Sequence, residues 1–417
     1  MIAPPRVLML APACYPVQGA ESFVNAKLVL AGLEAGWDIE VVSQDRGGYP
    51  ADPDPLWAPL AGRVIASLPL RRGWSWRRLV GEAVGAVRTG HLLPGGDWAA
   101  GAVASVRGRI DRRGYDLMLS RLPGGHLAAL TLARLDGIPW IAQFNDPWPD
   151  GAYPPPYPTH SDAGLSYFQR RFLSALAERV AWVTFPCPRL RRYMLDYLPS
   201  GLAERSSVIP HIALPRLGRQ SEPAGEGPFT LVHAGALTPP RDPNTFLEGL
   251  RLFLDRTKAP DARVLLIGPV GGEIPTAIKR LRLDEVVSCQ PPMPYVASLE
   301  ALARAQVAVI IEARCPEGIF LPSKFVDCVQ LDRPVLAVCP PVGTLADILT
   351  TQGGGLAADA SSAEAVAESL NVLYTHWRAG TLQEAFGSGR LMDSFGPQAV
   401  IGDYQRLFER LPPGRRD

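Results

Sequence analysis

A repeated alternation of short apolar runs with longer helix-like stretches constrains this chain more than any other feature of its sequence. Apolar runs of strand length, bounded by turns and separated by helices, are typical of parallel strands that are covered on both faces. The alternation begins at residue 7 and restarts after Pro228. The sequence therefore predicts an α/β chain with two doubly wound, Rossmann-like domains.

The same pattern places the elements and the domain boundaries. Strands are predicted over residues 7–11, 39–42, 116–119, 140–144, 182–185, 229–233, 263–268, 307–311 and 334–338, and helices over residues 21–34 and 244–256. Residues 215–228 are rich in Pro, Gly and charge, which is typical of a linker. We therefore expect a first domain over residues 1–214 and a second over residues 228–390. Residues 398–411 follow helical spacing, so a C-terminal helix within residues 396–417 is expected to return to the first domain.

The composition excludes several classes of protein. The chain has 417 residues, with 42 Lys+Arg against 41 Asp+Glu, so it is not built to neutralise many nucleic-acid phosphates, and no nucleic-acid partner is expected. Nowhere do eighteen apolar residues run together, so we expect no membrane-spanning helix. The six cysteines form no C-x-x-C pair, which favours reduced thiols. A cytoplasmic protein with at most peripheral membrane contact is expected.

Lys324 carries the strongest chemical signal. It lies in residues 312–327, directly after a predicted strand, and Pro322 and Ser323 can begin a helix there. The N–H groups of that helix and the Lys324 ammonium would then point to the same place. Asp327 lies three residues further on, on the same helix face, where it could accept hydrogen bonds from sugar hydroxyls. This arrangement suits a sugar diphosphate; an i,i+3 surface ion pair is the alternative.

Two glycine turns offer further backbone N–H groups. Gly19 opens a helix after the first predicted strand, and Gly235 follows the first strand of the second domain. Arg241 precedes the next helix, and a guanidinium fork suits a diphosphate. No G-x-G-x-x-G occurs, so the dinucleotide fingerprint is missing. A plain turn at Gly19 and a solvated surface charge at Arg241 are the alternatives.

Four segments, in order, resemble one family. They are IPWIAQFNDPW (residues 138–148), VIPHIA (208–213), HAGALTPPRDP (233–243) and LPSKFVDCVQLDRPVLAV (321–338). Together they are similar to motifs of bacterial family 4-type retaining glycosyltransferases that build surface polysaccharides. The last segment resembles the family's pattern of Pro, Gly or Ser, and Lys, followed by Glu and then Pro-Val.

The resemblance implies the GT-B architecture, in which two Rossmann-like domains face a cleft. It implies a donor nucleotide held by the second domain, an acceptor in the first, retention of anomeric configuration, and no metal. By matching position, Arg241 and Lys324 would neutralise the donor diphosphate, and Asp327 stands where the family has a Glu that binds ribose or sugar. The expected donor-binding residues are Gly19, Gly235, Arg241, Glu317, Pro322, Ser323, Lys324 and Asp327.

The first domain contributes two further candidates. Asp146 follows a predicted strand, where open α/β sheets place ligands; it either orients or deprotonates the acceptor or caps the following turn. His126 matches a His seen in relatives ahead of the IPW segment. It either contacts the donor sugar or makes a hydrogen bond at the start of a helix. The expected catalytic residues are Asp146, His126, Lys324 and Arg241.

The chain departs from the family pattern at several positions. Ala20 replaces the second glycine of Gly-Gly, Ala236 the Arg after the second-domain glycine, Ile319 the first Glu of E-x7-E, Asp327 the second Glu, and Asn145 an Arg. These departures keep a non-catalytic role open.

No metal site is expected. Asp52 and Asp54 form a D-x-D, but in a Pro-rich loop rather than after a buried strand, so we reject them as metal ligands. The six histidines show no ligand spacing. No cofactor is expected beyond a nucleotide-diphosphate sugar as co-substrate.

Residues 71–78 interleave four arginines with two tryptophans. Such a segment suits an anionic membrane surface, whereas a loop packed on its own domain is the alternative.

The sequence therefore predicts a glycosyltransferase that acts on a glycan or polyprenyl-linked acceptor at the inner face of the cell membrane. A sugar-nucleotide 2-epimerase and a non-catalytic GT-B protein that binds nucleotide or glycan are the alternatives.

Overall fold

The computed structural model describes residues 4–45, 55–70, 76–215, 227–259 and 261–411. Asp52, Asp54, residues 71–75 and most of the predicted linker over residues 215–228 lie outside these ranges. The chain divides into two compact units. The first unit comprises Met1–Tyr153, Thr159–His211 and Val400–Asp417, and the second comprises Pro154–Pro158 and Ile212–Ala399.

Each unit is built on one parallel sheet. Within the described residues, the first sheet has seven strands in the order β3-β2-β1-β4-β5-β6-β7, and the second has six in the order β10-β9-β8-β11-β12-β13. The strands are β1 (Arg6–Leu10), β2 (Asp38–Gln44), β3 (Val64–Leu68), β4 (Leu117–Arg121), β5 (Trp140–Gln143), β6 (Trp182–Phe185), β7 (Ser206–Val208), β8 (Phe229–Ala234), β9 (Ala262–Ile267), β10 (Val287–Gln290), β11 (Val307–Ile311), β12 (Val335–Cys339) and β13 (Gly355–Asp359).

Helices connect the strands and cover the sheets. They are α1 (Ala20–Glu34), α2 (Ala58–Ala61), α3 (Trp76–Thr89), α4 (Gly96–Arg113), α5 (Leu122–Asp136), α6 (Tyr167–Arg179), α7 (Pro188–Leu195), α8 (Asn244–Thr257), α9 (Glu273–Arg280), α10 (Tyr295–Ala303), α11 (Ser323–Gln330), α12 (Thr344–Gln352), α13 (Ala363–Arg378), α14 (Leu382–Phe386), α15 (Met392–Phe395) and α16 (Pro397–Arg410). The two doubly wound units predicted from the apolar alternation are confirmed.

Every strand predicted from an apolar run is present, with bounds that differ by at most two residues at either end. The central strands are buried along their whole length, as in β4, β11 and β12. This burial explains their continuous apolar sequence, because helices cover both faces of the sheet. The prediction lacked β3, β7, β10 and β13, which are the edge strands of the two sheets.

The strand order of each sheet reverses at one point. In the first sheet the reversal lies between β1 and β4, and in the second between β8 and β11. Ligands of open α/β sheets bind outside the carboxyl ends of the strands at such a reversal. The loops that follow β1, β4, β8 and β11 are therefore the places to look for a site.

The C-terminal helix α16 packs on the first unit, as predicted. Its inward face buries Val400, Ile401, Tyr404 and Leu407. The ring of Trp37 meets Tyr404 edge-on at 5.9 Å and Phe408 at 5.0 Å between centroids. The Gln143 amide donates a hydrogen bond to the Tyr404 hydroxyl, which ties α16 to the end of β5.

None of the helices in the described ranges is long and apolar enough to cross a membrane.

Gly249 lies where α8 packs tightly against α13, and Gly402 of α16 serves as a control. A Cβ on Gly249 would lie 2.6 Å from Val366 Cβ and 2.7 Å from the Ala363 carbonyl oxygen, whereas one on Gly402 of α16 would meet only the end of the Arg406 side chain at 3.4 Å. We expect Gly249→Ala to lower the free energy of unfolding by about 1–3 kcal/mol. Gly402→Ala should raise it by about 0.5–1 kcal/mol, because alanine favours the helix. Urea denaturation measures both, and equal effects in the two variants would contradict the packing argument.

Candidate functional site

The second unit brings three charged side chains and a glycine turn to the point where its strand order reverses. The loop after β8 carries Gly235 and Arg241, and the loop after β11 begins at Glu312 and leads into α11. Lys324 is the second residue of α11, whose N-cap is Pro322. The structure therefore gathers Gly235, Arg241 and Lys324, which the sequence placed in one site, on two neighbouring loops.

A histidine holds the Lys324 ammonium in place. Lys324 Nζ lies 3.4 Å from His233 Nε2. His233 Nδ1 lies 3.0 Å from the Val309 carbonyl oxygen, which can only accept, so Nδ1 carries the proton and Nε2 is free to accept from Lys324. Neighbouring strands β8 and β11 thus fix the tautomer of His233, and His233 fixes the position of the lysine.

The backbone of Gly235 leaves room for the ammonium. Its φ is +146°, and a Cβ there would lie 2.3 Å from Lys324 Nζ. Gly268, at the end of β9, packs as closely on the other side: a Cβ there would lie 2.7 Å from the Gly235 carbonyl oxygen. Glycine at these two positions lets the loops of adjacent strands close around the Lys324 side chain.

The electrostatic setting of this lysine is unusual. Burial, followed by the nearby Arg241 cation, lowers the pKa of Lys324 to about 8. Burial and the Lys324 charge lower the pKa of His233 well below its ordinary value, so the imidazole is neutral at physiological pH. Among the described residues, no carboxylate lies in ion-pair contact with Lys324 or Arg241. Two cations that lack a carboxylate partner form a binding place for an anion.

Asp242 accounts for the start of α8. Its carboxylate accepts a hydrogen bond from the Asn244 backbone N–H at 2.9 Å and pairs with Arg314 at 3.0 Å. The N-cap of α8 is Pro243, and the helix begins at Asn244, as predicted. The neighbouring Arg241 side chain is exposed.

The Asp327 carboxylate is hydrogen-bonded to a tyrosine of another helix. The Tyr295 hydroxyl, at the start of α10, donates a hydrogen bond of 2.6 Å to Asp327 Oδ1. Burial and the Asp327 charge raise the pKa of Tyr295 well above its ordinary value, so the hydroxyl keeps its proton. Tyr295 therefore fixes the orientation of the carboxylate that the sequence predicted to accept from sugar hydroxyls. That role of Asp327 stays a prediction.

The other donor-side candidates lie on the loop into α11. Glu317 is half-buried, Pro322 is the N-cap and Ser323 is the first helical residue. Ile319, which stands where relatives have a Glu, is 2% exposed and packs into the protein. Their roles in binding stay predictions.

In the first unit, a hydrogen-bonded chain links the loops after β1, β4 and β5. Asn145 Nδ2 donates to both oxygens of Glu21 at 2.8 Å, in the first turn of α1 beside Gly19. Arg121, the last residue of β4, donates to Asn145 Oδ1 and is buried. Asn145 thus connects a buried guanidinium to the carboxylate that follows Gly19.

His126 is a buried residue of α5. Its Nδ1 lies 2.7 Å from the Ser120 hydroxyl, and its ring packs 4.9 Å from the Phe144 ring. Burial and the Arg121 charge lower the pKa of His126 to about 3, so the imidazole is neutral. Asp146, in contrast, is exposed after the end of β5. The proposed catalytic roles of His126 and Asp146 stay predictions.

Sequence reasoning missed several of these groups. Glu21, Arg121, His233, Tyr295 and Glu312 were not singled out, because each acquires its importance from contacts with residues far away in the chain. In the described part of the chain, no three His, Cys, Asp or Glu side chains come together as a metal cluster.

Comparisons with known proteins agree with this architecture. Residues 24–212, a little under half of the chain, match the model of Glycosyltransferase Family 4. Sucrose-phosphate synthase from Thermosynechococcus elongatus matches 97% of the chain over 98% of its own length, at 14% identity and a TM-score of 0.67. The chain therefore has the GT-B fold, and residues 24–212 resemble Glycosyltransferase Family 4.

Two further structures resemble the chain. HepE from Anabaena, solved in complex with UDP and glucose, covers 98% of this chain over its entire length at 13% identity, with a TM-score of 0.66. A glycosyltransferase from Rickettsia africae covers 97% of this chain over 98% of its own at 11% identity, with a TM-score of 0.65. No curated protein matches the chain by sequence. The predicted family resemblance and GT-B fold are confirmed.

The lowered pKa of Lys324 can be measured without any ligand. At pH 8 about half of the Lys324 side chains should be neutral, against fewer than about 1% for an ordinary lysine with a pKa of about 10.4. In competitive acetylation followed by peptide mass spectrometry, the Lys324 rate should level off above about pH 8. Lys258 and Lys279, which are exposed, serve as internal controls. A Lys324 profile that matched these controls would contradict the geometry.

Proposed function

We propose that the protein is a glycosyltransferase that moves a sugar from a nucleotide-diphosphate sugar to a hydroxyl of a glycan or lipid-linked acceptor, with retention and without a metal ion. The observation that supports the donor part is the Lys324 ammonium, which contacts neutral His233 and makes no ion pair with a carboxylate among the described residues. UDP-sugars are the first donors to test, because the similar HepE was solved with UDP and glucose.

In this proposal the second unit stabilises the departing diphosphate. The bond between the anomeric carbon and the phosphate oxygen breaks, the acceptor oxygen bonds to that carbon, and the hydroxyl proton passes to the departing phosphate or to a base. Negative charge grows on the diphosphate as this happens. Lys324, Arg241 and the N–H groups at the start of α11 can oppose that charge.

The residue chemistry also supports the metal-free part of the proposal. Two cations and a helix N-terminus can supply the positive charge that a divalent ion supplies in other enzymes. Retention is supported by the motif resemblance alone. Asp146 and His126 are proposed for the acceptor and sugar side.

Removing the Lys324 charge tests the donor site. In Lys324→Met, we expect nucleotide-sugar affinity to fall about tenfold or more, since a hydrogen bond to a charged group contributes about 1.5–3 kcal/mol. Transfer or donor hydrolysis should fall by about 10²–10³. Calorimetry and a coupled assay for released nucleotide give the two values. Lys279→Met, on exposed α9 of the same unit, is the matched control and should behave as the wild type.

Full activity in Lys324→Met would overturn the assignment. Conversion of a UDP-sugar with no acceptor present would favour the 2-epimerase, and nucleotide binding without turnover on any acceptor would favour a non-catalytic protein.

A second observation supports action at a membrane surface. Helix α3 turns a row of large apolar side chains outward, with Trp76 69% and Val87 86% exposed; the row also contains Leu79, Val80 and Val84. The opposite face of α3 packs on α4, where the Glu82 carboxylate accepts from the Gly96 backbone N–H at 2.8 Å. The outward face of α3 is therefore fixed by packing.

Arginines also occur in the sequence of α3 and just before it. Arg78 and Arg88 belong to α3, and residues 71–77 of the sequence contain three more. An amphipathic helix with apolar and basic residues suits the headgroup region of an anionic bilayer. We therefore propose that α3 lies on the inner face of the cell membrane and that the acceptor is lipid-linked, for example to a polyprenyl carrier, in polysaccharide biosynthesis.

Vesicle binding tests the membrane proposal. Leu79→Glu combined with Val87→Glu should reduce co-sedimentation with phosphatidylglycerol-containing vesicles about tenfold or more. The reason is that two side chains that enter the bilayer in this proposal become charged. Neutralising Arg71, Arg72, Arg77 and Arg78 should lower binding by about 1 kcal/mol per arginine, and only on anionic vesicles. Val372→Glu, an exposed apolar position of α13, is the control. Equal vesicle binding by all variants would overturn the membrane proposal. If the wild type were a dimer and only the α3 variants were monomers, the apolar row would instead be a dimer interface.

A further inference from the structure

Glu312 is a buried carboxyl group, one oxygen of which has no hydrogen-bond partner in the described part of the chain. It follows the last residue of β11, and its own N–H donates to the Val338 carbonyl oxygen at 3.0 Å. The residue is 7% exposed, and its Oε2 atom has no hydrogen-bond partner among the described residues. Buried carboxylates are normally paired or hydrogen-bonded, so such a group is unusual.

Its place in the fold is the crevice that holds Lys324. Glu312 begins the loop after β11, beside the reversal of strand order, and that loop continues into α11. Gly318, further along the loop, lies against the carboxyl: a Cβ there would lie 3.5 Å from Glu312 Oε2. Gly318 itself is fixed to the start of α12, because its N–H donates to the Val342 carbonyl oxygen at 2.9 Å. The carboxyl is therefore enclosed by backbone on this side.

The charged and titratable groups near Glu312 come from four elements. They are Arg241 after β8, Lys324 in α11, Cys315 in the same loop and Cys339 at the end of β12. Burial raises the pKa of both thiols, so they are neutral. The two cations are not in ion-pair contact with the carboxyl, and Lys324 instead contacts neutral His233.

Burial has the larger effect on Glu312. It raises the pKa of the carboxyl to about 7, although Arg241 and Lys324 act in the opposite direction. At neutral pH the carboxyl is therefore divided between its two forms. An incoming diphosphate would repel the ionised form and accept a hydrogen bond from the protonated one. Carboxylic acids kept neutral by burial donate hydrogen bonds in this way at other enzyme sites.

We propose that Glu312 binds the donor diphosphate as a protonated acid, donating a hydrogen bond to a phosphate oxygen held by Arg241 and Lys324, so that donor binding takes up a proton from solvent. The proposal rests on the proposed function, because it requires a nucleotide-diphosphate sugar in this crevice. The proton moves from water to the ionised Glu312 carboxylate, and no bond of the donor changes.

The first test uses the wild-type protein. UDP-glucose, ADP-glucose and GDP-mannose are titrated by calorimetry, and the tightest-binding one is used as the probe, because its phosphodiester groups do not titrate near neutral pH. Binding is measured at pH 7 in buffers of different ionisation enthalpy. We expect Glu312 to take up about half a proton on binding, whereas Lys324 should take up only about a tenth. Zero uptake with measurable binding would overturn the inference and leave the proposed function standing. Failure of all three sugars to bind would overturn both.

The second test separates Glu312 from Lys324. Glutamine can donate the same hydrogen bond without titrating, so Glu312→Gln should keep the affinity for the probe at pH 7 but lose the proton uptake. Between pH 7 and 8.5 the wild-type affinity should fall about tenfold or more, whereas Glu312→Gln should show only the smaller decline due to Lys324. A folded Glu312→Gln with undiminished uptake would overturn the inference. Glu300→Gln removes a carboxylate of the same unit outside the crevice and should match the wild type.

Discussion

The reversal of strand order in each sheet is the constraint on which the candidate site depends. In a parallel sheet every strand delivers its carboxyl end to the same edge, and only at the reversal do two adjacent loops diverge and leave room between them. In the second unit those loops follow β8 and β11. The first supplies Gly235 and Arg241, and the second leads from Glu312 to Lys324. Residues about 80 positions apart in the sequence are brought together by the pairing of two strands.

The charges in this crevice do not balance one another. Lys324 is held by a neutral imidazole, and Glu312 lies close enough to both cations to sense them without pairing with either. Burying such groups costs stability, because each loses water without gaining an opposite charge in contact. Structural ion pairs elsewhere in the second unit look different, as between Arg251 and Asp255, where exposed partners lie 2.6 Å apart. A bound diphosphate would supply the counter-charge that Lys324 and Arg241 lack, so the imbalance of the cations is better explained by ligand binding than by folding.

The sequence predicted the sheets well at their centres and poorly at their edges. Central strands are covered by helices on both faces, so their sequences are continuous apolar runs, such as the one in β11. Edge strands are half-exposed: β10 buries only Val287, and β13 begins with the glycines around Gly355. A strand at the edge of a sheet is less buried than a central one, so its sequence need not be a long continuous apolar run.

The site was predictable to the extent that it is local in sequence. Lys324, Ser323 and Pro322 occupy one turn of α11, so their spacing alone indicated a cation at a helix start. The importance of His233 depends on the Val309 carbonyl in another strand and on Lys324 in a distant helix, and no local pattern records such contacts. Gly235 was found as a turn residue, but its contact with the ammonium needed the structure.

Asn145 shows why a substitution should be judged in the structure. Relatives carry an arginine at this position, so the sequence suggested the loss of a cation. Arg121 and Gln143 are register partners in the paired strands β4 and β5, and Asn145 follows two residues later. The Arg121 guanidinium reaches Asn145 Oδ1 from the neighbouring strand, and the Asn145 amide passes the interaction on to Glu21. A guanidinium is therefore present beside the site of the substitution, delivered by β4 instead of β5. With alanine at position 236, the neutralisation of a bound anion in this proposal falls to Arg241 and Lys324.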